Sequence, residues 1–468
     1  MMAVNVLLMR PKSPIQKVVP LGLLYLSAYL KKTCPEVNVK FIDFRLNEEK
    51  AYGALHTYLE GFKPDIIGIS SLTLELVESI ALAKQCRKTY ADAICVLGGP
   101  ASSSDYDLIE PLNVFDRIVV GEGEEIFKAI VNNTLSDNSP TLHASDYPPV
   151  DVNSVDMPDY SIIDLPDYFL RDNSHEAFQS FRKYVPIFTS RGCPFDCGFC
   201  FHLFGKKVRF RDIDNVCREV EYLVRTYGVR EIHIEDDVFN LDTERVKYFF
   251  GFLEKKNIRL AVSFPNGLIY NNLDETLVKI LKKGGVYRVS FGIESTSPPI
   301  MDLISKKHDV KKLDEVIRLF DKSHILTHGF LITGFPTETE TDLDATIRFI
   351  LASRLHTFRF AYYAPFRGTP LYKKFYHLFE KQDLNDTKNA RYSASKIYSE
   401  IPEAATNARI RAASLKFYLS PSRIFRIAVA MKKKVMVRFV LRKTWLYLSK
   451  FSGKNALDNQ IAENNVQH

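Results

Sequence analysis

The sequence predicts an α/β protein: a Rossmann-like (flavodoxin-like) domain, then an incomplete barrel of six β/α units, then a basic helical extension. Three observations predict it. Two separate stretches alternate short β-rich apolar runs with amphipathic helices, the pattern of a parallel sheet. Between them, from Ala144 to about Lys183, lies a segment rich in Pro, Asp, Ser and Tyr with no sustained period. Finally, no acidic residue occurs between Glu403 and Asp458, an interval that holds 13 Lys and Arg. The expected organisation is a first domain over residues 1–143, a linker over 144–183, a β/α array over 184–380, a basic helical region over 381–457 and a disordered end over 458–468.

The elements follow in order. "AVNVLLMR" reads as a strand and "LGLLYLSAYLKK" as a helix with one apolar face. "VNVKFIDF" and "DIIGISSL" are strands, and "ELVESIALAKQCRKTY" is a helix. "AICVLGGP" and "DRIVVGEGEEIFKAI" end their strands in Gly98 and Gly99, and in Gly121, Glu122 and Gly123. Ligands of open α/β sheets gather at the carboxyl ends of strands, where glycine admits a close backbone approach. The same glycines also suit plain tight turns, and this feature alone leaves both readings open. The linker "YPPVDVNSVDMPDYSIIDLPDY" keeps apolar and aromatic residues, so it is expected to pack across a surface.

The second alternation supplies the strands "YVPIFTS", "EIHIED", "RLAVSFP", "YRVSFGIE", "ILTHGFLITG" and "FRFAYYAPF", with helices such as "VCREVEYLVRTYG" and "TDLDATIRFILASR" between them. Six units are fewer than the eight that close a barrel. Their carboxyl ends place Cys193, Asp236, Asn266, Glu294 and Gly334 on one rim.

Composition narrows the function classes. Hydrophobic residues at 46% and charged residues at 25% are ordinary for a soluble globular chain. Seven cysteines in 468 residues do not suggest a disulfide framework and fit a reducing compartment. The N-terminal apolar run is short for a signal peptide, and no stretch is long enough to span a bilayer, so a cytoplasmic location is expected. The net charge of +7 belongs to the tail: outside it, 50 basic residues face 56 acidic ones. That argues against a nucleic-acid-binding core.

Three of the seven cysteines fall in "RGCPFDCGFCFHLFGKK", at Cys193, Cys197 and Cys200, with Phe199 before the last. Three thiolates so close can take three corners of a metal site. His202 would complete a zinc site, although zinc more often takes two separated ligand pairs. A 4Fe–4S cluster usually takes four cysteines; held by three, it leaves one iron open. A zinc-stabilised binding module and an iron–sulfur electron carrier are thus rivals to an enzyme. The other cysteines, Cys34, Cys86, Cys95 and Cys217, lie in apolar contexts that suit buried structural thiols.

The Cys-x₃-Cys-x₂-Cys run with its aromatic residue resembles the signature of the radical S-adenosylmethionine (SAM) enzymes. The resemblance covers roughly residues 184–380. It implies that Cys193, Cys197 and Cys200 ligate a 4Fe–4S cluster whose open iron binds SAM, which is cleaved to a 5′-deoxyadenosyl radical. "IHIEDDVF" then places Asp236 near the SAM amino group, and "FGIES" places Glu294 and Ser295 near the ribose or carboxylate end. "GFLITGFPTET" offers the turn at Gly334 to the adenine, with Phe199 beside the cofactor. "YYAPFRGTPLY" closes the sixth strand, where Tyr362 or Tyr363 can face substrate.

The first domain resembles the cobalamin-binding domain of one radical SAM subclass, through "PLGLLYLSAYLKK", "DIIGISSLT", "VLGGP" and "VGEGEEIF". The fingerprint Asp-x-His-x-x-Gly is absent: around His56, Ala54 and Leu59 stand where Asp and Gly belong, and Ala101 replaces the histidine of Gly-Gly-Pro-His. The resemblance implies cobalamin held at Gly98, Gly99, Gly121, Glu122 and Gly123 with no protein histidine on cobalt, over the mouth of the barrel. The implied reaction is methylation of an unactivated carbon on a small or lipid-like metabolite, driven by an electron donor such as flavodoxin or ferredoxin. Radical cyclisation or rearrangement without net methylation is the alternative within the subclass.

In the tail, "SPSRIFRIAVAMKKKVMVRFVLRKTWLYLSKF" sets Ile424, Ile427, Met431, Val435 and Val437 among Arg423, Arg426, Lys432 to Lys434 and Arg438, with Trp445 and Tyr447 beyond. Such a helix either packs on the barrel with its charges in water or lies on an anionic membrane. Peripheral membrane contact through residues 420–451 is the expectation carried forward.

Overall fold

A computed structural model of the chain describes residues 3–13, 17–47, 49–135, 138–171, 179–306, 309–379 and 398–431. Two compact units emerge. One runs to His175 and takes in Phe201–Gly205; the other starts at Glu176 and holds the remaining described residues.

The first unit is a six-stranded, wholly parallel sheet. Its strands are β1 (Val4–Arg10), β2 (Val37–Asp43), β3 (Ile66–Ser70), β4 (Ile94–Gly98), β5 (Arg117–Val120) and β6 (Thr141–His143). Their order is β2-β1-β3-β4-β5-β6, a flavodoxin-like arrangement whose direction of winding switches between β1 and β3. The sheet is covered on both faces, so β1 and β3 read as continuous apolar runs rather than alternating ones. Sequence periodicity missed β6, which is only three residues long.

At the switch point the strand ends carry a buried ionic cluster that the sequence did not announce. Arg10 pairs with Asp43, Tyr168 donates to the same carboxylate at 2.6 Å, and Arg45 pairs with Glu75 at 2.6 Å. Glu75 also accepts from the Leu72 N–H at 3.0 Å, fixing the turn that leaves β3. The segment after β6 packs back on this unit. Val150, Val152, Tyr160, Leu165 and Phe169 are buried, and Asp159 accepts from Ser27 and pairs with Lys31.

The second unit is another six-stranded parallel sheet: β7 (Tyr184–Ile187), then, past a small ribbon of β8 (Ser190–Arg191) and β9 (Arg209–Phe210), β10 (Glu231–Ile234), β11 (Ala261–Phe264), β12 (Val286–Glu294), β13 (Leu326–Thr333) and β14 (Thr357–Tyr362). The strands stand side by side in chain order, from β7 to β14, as in a partial barrel. All four residues of β7 and of β10 are buried. The helices begin where the strand ends turn back, and the sequence caps them consistently. The side chains of Asp212, Asp242, Asp274, Asp309 and Thr339 each accept a backbone N–H from the first turn of the helix they precede. Each such cap stabilises its helix by about 1 kcal/mol.

Two helices follow, Glu403–Tyr418 and Pro421–Ala430. The second differs from expectation in which side faces inward. Ile427 and Met431 bury against Leu326, while Arg423 is itself buried and Arg426 pairs with Asp321 at 3.2 Å. Two of the cations assigned to a lipid-facing surface therefore anchor the helix to the barrel. Val435, Val437, Trp445 and Tyr447 lie outside the described residues. Among the described residues no helix is long and apolar enough to cross a membrane.

Candidate active site

The three thiols sit on the loop 192–208, whose base is closed by the antiparallel β8–β9 ribbon. Asp236, at the end of β10, holds that base: it accepts from the Thr189 N–H at 2.6 Å and from the hydroxyls of Thr189 and Ser190 at 2.5 and 2.7 Å. Its carboxyl is fully buried, and burial pushes its pKa up against those hydrogen bonds. The loop is pinned again at Gly198, whose N–H donates to Ile304 and whose carbonyl accepts from the Leu371 N–H, both at 2.8 Å. Phe199 packs edge-on against Phe335, with ring centroids 6.2 Å apart, in a cluster with Ile300, Ile304 and Tyr363.

Burial raises the pKa of Cys193, Cys197 and Cys200, the last to about 12. One cation opposes this at all three, Lys306, which follows the short helix Pro298–Leu303. Its ammonium donates to the Gly292 carbonyl at 2.8 Å and to Glu294 at 3.0 Å. Burial alone would lower the Lys306 pKa; Glu294 first, then Cys197, more than offset it, and the net shift is upward. Lys306 is therefore a fixed positive charge shared by a carboxylate and three thiols.

Glu294 earns its position through backbone geometry. The register of β12 slips between Gly292 and Glu294, and Glu294 sits at φ 58°, in the left-handed region. A bulge at a strand end re-aims a side chain. Gly292 makes room: a Cβ there would lie 2.7 Å from the Glu294 carboxylate and 3.0 Å from the Lys306 ammonium.

The other rim residues have mixed duties. Ser295 is buried, accepts from the Ser297 N–H and hydrogen-bonds Thr346, bracing the turn out of β12. Asn266 donates to the Glu235 carbonyl at 2.6 Å. Gly334, at φ 82°, gives its N–H to Glu338, which also accepts from Thr333 at 2.8 Å. Thr337, a β-branched residue, is held at φ 69° in the same turn. Strain of this kind, of order 1–3 kcal/mol, tends to collect at ligand clamps. Tyr362 donates to Asn407, and Tyr363 is buried among Phe335 and Phe379.

Three participants escaped sequence reasoning. Lys306 is one. Asp237 is another: its charge acts on Cys193 and Cys200, and although the side chain reaches solvent, enough protein surrounds it to raise its pKa, with Asp236 adding to the effect. The third is Glu338, whose burial drives its pKa up to about 7. An acid whose folded pKa exceeds its unfolded value of about 4.5 binds more protons when folded, so stability falls as pH rises between those values and levels off above 7. The loss across that window is about 3 kcal/mol. Glu338→Gln keeps the acceptor oxygen and removes the titration. In urea unfolding from pH 4.5 to 7, the wild type should lose stability relative to this variant; parallel pH profiles would refute the assignment.

The donor chemistry suits an iron–sulfur cluster: three thiols, a loop anchored at both ends, and one half-buried cation to offset thiolate charge. Among the described residues no three His, Cys, Asp or Glu side chains are gathered closely enough to grip a metal ion. In the first unit, Gly98 faces open space at the end of β4. Gly99, at φ 94°, lies where a Cβ would come within 2.8 Å of the Ser71 carbonyl. Helix Pro100–Ile109 opens with the small residues Ala101 to Ser104, and Ser103 accepts from the Gly121 N–H at 2.9 Å. Gly123 precedes the helix Glu124–Val131, and Glu122 is half-buried beside it. Small side chains and bare backbone at adjoining strand ends fit a broad flat group such as a corrin. His56 is exposed and hydrogen-bonds its neighbour Thr57. The four remaining cysteines are all buried.

Comparison with known families decides the matter. The B12 binding domain matches residues 14–131, and the Radical SAM superfamily matches residues 187–350. This chain is a radical SAM enzyme with an N-terminal B12-binding domain. Its cofactors are a 4Fe–4S cluster, SAM and cobalamin. The radical SAM chain is 29% identical over 400 residues to an uncharacterized methyltransferase of Pyrococcus horikoshii, covering 80% of this chain and 83% of that one. It is 24% identical to the bacteriochlorophyllide d C-12(1)-methyltransferase of Chlorobaculum tepidum, covering 79% and 77%. It is 26% identical to the anaerobic magnesium-protoporphyrin IX monomethyl ester cyclase of Cereibacter sphaeroides, covering 76% and 60%. In fold it is similar to the radical SAM methyltransferase TsrM of Kitasatospora setae, solved with cobalamin and a [4Fe-4S] cluster, at a TM-score of 0.66 and 16% identity over 90% of each chain.

Proposed function

We propose that this radical SAM enzyme methylates an unactivated carbon of a small or lipid-like metabolite, with the barrel rim generating the radical. The observation that carries the reading is the shared electrostatic environment of Cys193, Cys197, Cys200, Lys306 and Glu294 at the carboxyl ends of the barrel strands. When bound, the cofactors supply an electron to cleave SAM, a 5′-deoxyadenosyl radical to remove hydrogen, and a corrin to carry the methyl group.

The residues have separable tasks. Cys193, Cys197 and Cys200 hold the cluster, and Lys306 balances their charge. Glu294 and Asp237 offer carboxylates to the polar end of SAM; Asp236, whose oxygens are engaged by Thr189 and Ser190, acts by fixing the loop. The turn at Gly334, with its N–H turned to Glu338, presents a face without a side chain to the adenine. Phe199 and Phe335 give the site an apolar wall that helps exclude water and limits side reactions. Gly98, Gly99, Gly121, Glu122 and Gly123 line the corrin site.

A second reading, cyclisation without net methylation, is favoured by the similarity to the magnesium-protoporphyrin cyclase. Reconstituted enzyme given an extract of its host, SAM labelled with deuterium on the methyl group, and a flavodoxin reductant separates the two. A product heavier by one labelled methyl group is expected. Formation of 5′-deoxyadenosine with product but no label in it would select cyclisation.

A further inference from the structure

Surface helices ordinarily turn their charges to water and their apolar face inward. Helix Pro421–Ala430 departs from this: it buries Ile427 but turns its cations inward as well, and leaves apolar side chains in water. Arg423 is buried over the Phe417 ring, 3.5 Å from its centroid, and donates to the carbonyls of Leu351, Ser353 and Leu355. Arg426 donates to Asp321 and to the Arg354 carbonyl at 2.8 Å. With Ile427 buried between them, both cations of the helix are spent on the barrel.

The outward stripe follows from helical spacing: Pro421, Ile424, Phe425, Ala428 and Val429, with no charged side chain among them. Phe425 is 69% exposed, Ile424 47% and Val429 44%; Leu419, just before the helix, is 68% exposed. Four of the thirteen exposed large hydrophobic residues of the described chain thus fall within eleven positions. A contiguous patch of this kind marks an interaction site rather than scattered surface.

The chain that follows indicates the partner. Three lysines, Lys432 to Lys434, come directly after Met431, with Arg438, Arg442 and Lys443 beyond, and no acid intervenes before Asp458. An apolar stripe continued by a run of cations needs a surface that is apolar in depth and negative in its outer plane. We infer that the stripe Ile424–Phe425–Val429, with Leu419, docks on an anionic lipid bilayer, whose charge complements the basic sequence that follows. Acyl chains take the apolar side chains and headgroups take the cations. Arg423 and Arg426 hold the helix to the barrel and make no lipid contact.

The full-length holoenzyme, sedimented with vesicles of phosphatidylcholine alone or containing phosphatidylglycerol, tests this. Binding is expected only to the anionic vesicles, weakening as salt rises. Phe425→Glu with Val429→Glu, both at exposed positions, should lower the bound fraction by about tenfold or more, with cluster absorbance and 5′-deoxyadenosine formation unchanged. Replacing Lys432 to Lys434 by serine should weaken binding to the anionic vesicles and reduce its salt dependence. Absence of wild-type binding at low salt overturns the inference, as does undiminished binding of the glutamate variant. So does a wild-type dimer that the glutamate variant converts to monomer without vesicle binding, which would make the stripe a contact between copies of this chain.

Discussion

Cys197→Ala protein, purified without oxygen, is expected to lack the brown iron–sulfur absorbance of the wild type, keeping only corrin bands, and to form no detectable 5′-deoxyadenosine from SAM. Burial raises the Cys197 thiol pKa, and the Lys306 charge opposes it. Cys197 also accepts, through its carbonyl, the Cys200 N–H at 3.0 Å, so the two thiols share one turn. Two remaining thiols cannot retain a cluster that needs three protein corners. The substitution removes little packing, because Cys197 is only part-buried, and the pins at Gly198 and Asp236 are backbone contacts or lie on other residues. Iron content, visible absorbance and circular dichroism should therefore separate: iron lost, secondary structure kept. Retained cluster absorbance, or continued formation of 5′-deoxyadenosine, would overturn the ligand set.

Lys306→Met is expected to destabilise the metal-free protein by about 2 kcal/mol and to lower the iron retained on reconstitution. The substitution leaves the Glu294 carboxylate mostly buried without its cation. The cost is below that of a fully enclosed pair because the lysine keeps some access to water. The diagnostic experiment is a double substitution. Glu294→Gln in the Lys306→Met background should recover most of the lost stability, since the stranded charge is gone, yet should not recover iron retention, since the cation facing the thiols is still missing. Equal stability of Lys306→Met and wild type to urea, or failure of Glu294→Gln to restore it, would show that the pair carries no such burden.

What the sequence disclosed and what it withheld divide along physical lines. The parallel sheets were legible because strands buried on both faces are runs of apolar residues, as in "DIIGISSL", and because glycines end them. The thiols were legible because a rare residue type is concentrated in eight positions. Lys306 was not, because its nearness to Glu294 comes from the bulge in β12 and from a side-chain gap at Gly292, neither of which leaves a periodic trace. Asp237 was passed over for its neighbour: in "IEDDVF" adjacent acids look alike, and only the pleat decides which turns inward. The tail helix misled for a related reason. With apolar residues on both sides, its pattern does not say that Ile427 goes inward and Phe425 outward; the buried Arg423 does.

The chain-order arrangement of the second sheet bears on how the enzyme is made. Each strand from β10 to β14 finds its neighbour already synthesised, so the sheet can grow as the polypeptide emerges, without waiting for a distant partner. The thiol loop leaves β7, the first strand laid down, whereas Lys306 lies 113 residues beyond Cys193 and follows β12. A nascent chain stopped before β12 would expose three thiols with neither their counter-charge nor Ile304, the carbonyl that pins Gly198. Iron delivered at that stage would meet an unfinished loop open to oxidation. The thiol loop is thereby completed late: its counter-charge and its first pin follow the fourth barrel strand, and its second pin, the Leu371 N–H, follows the sixth.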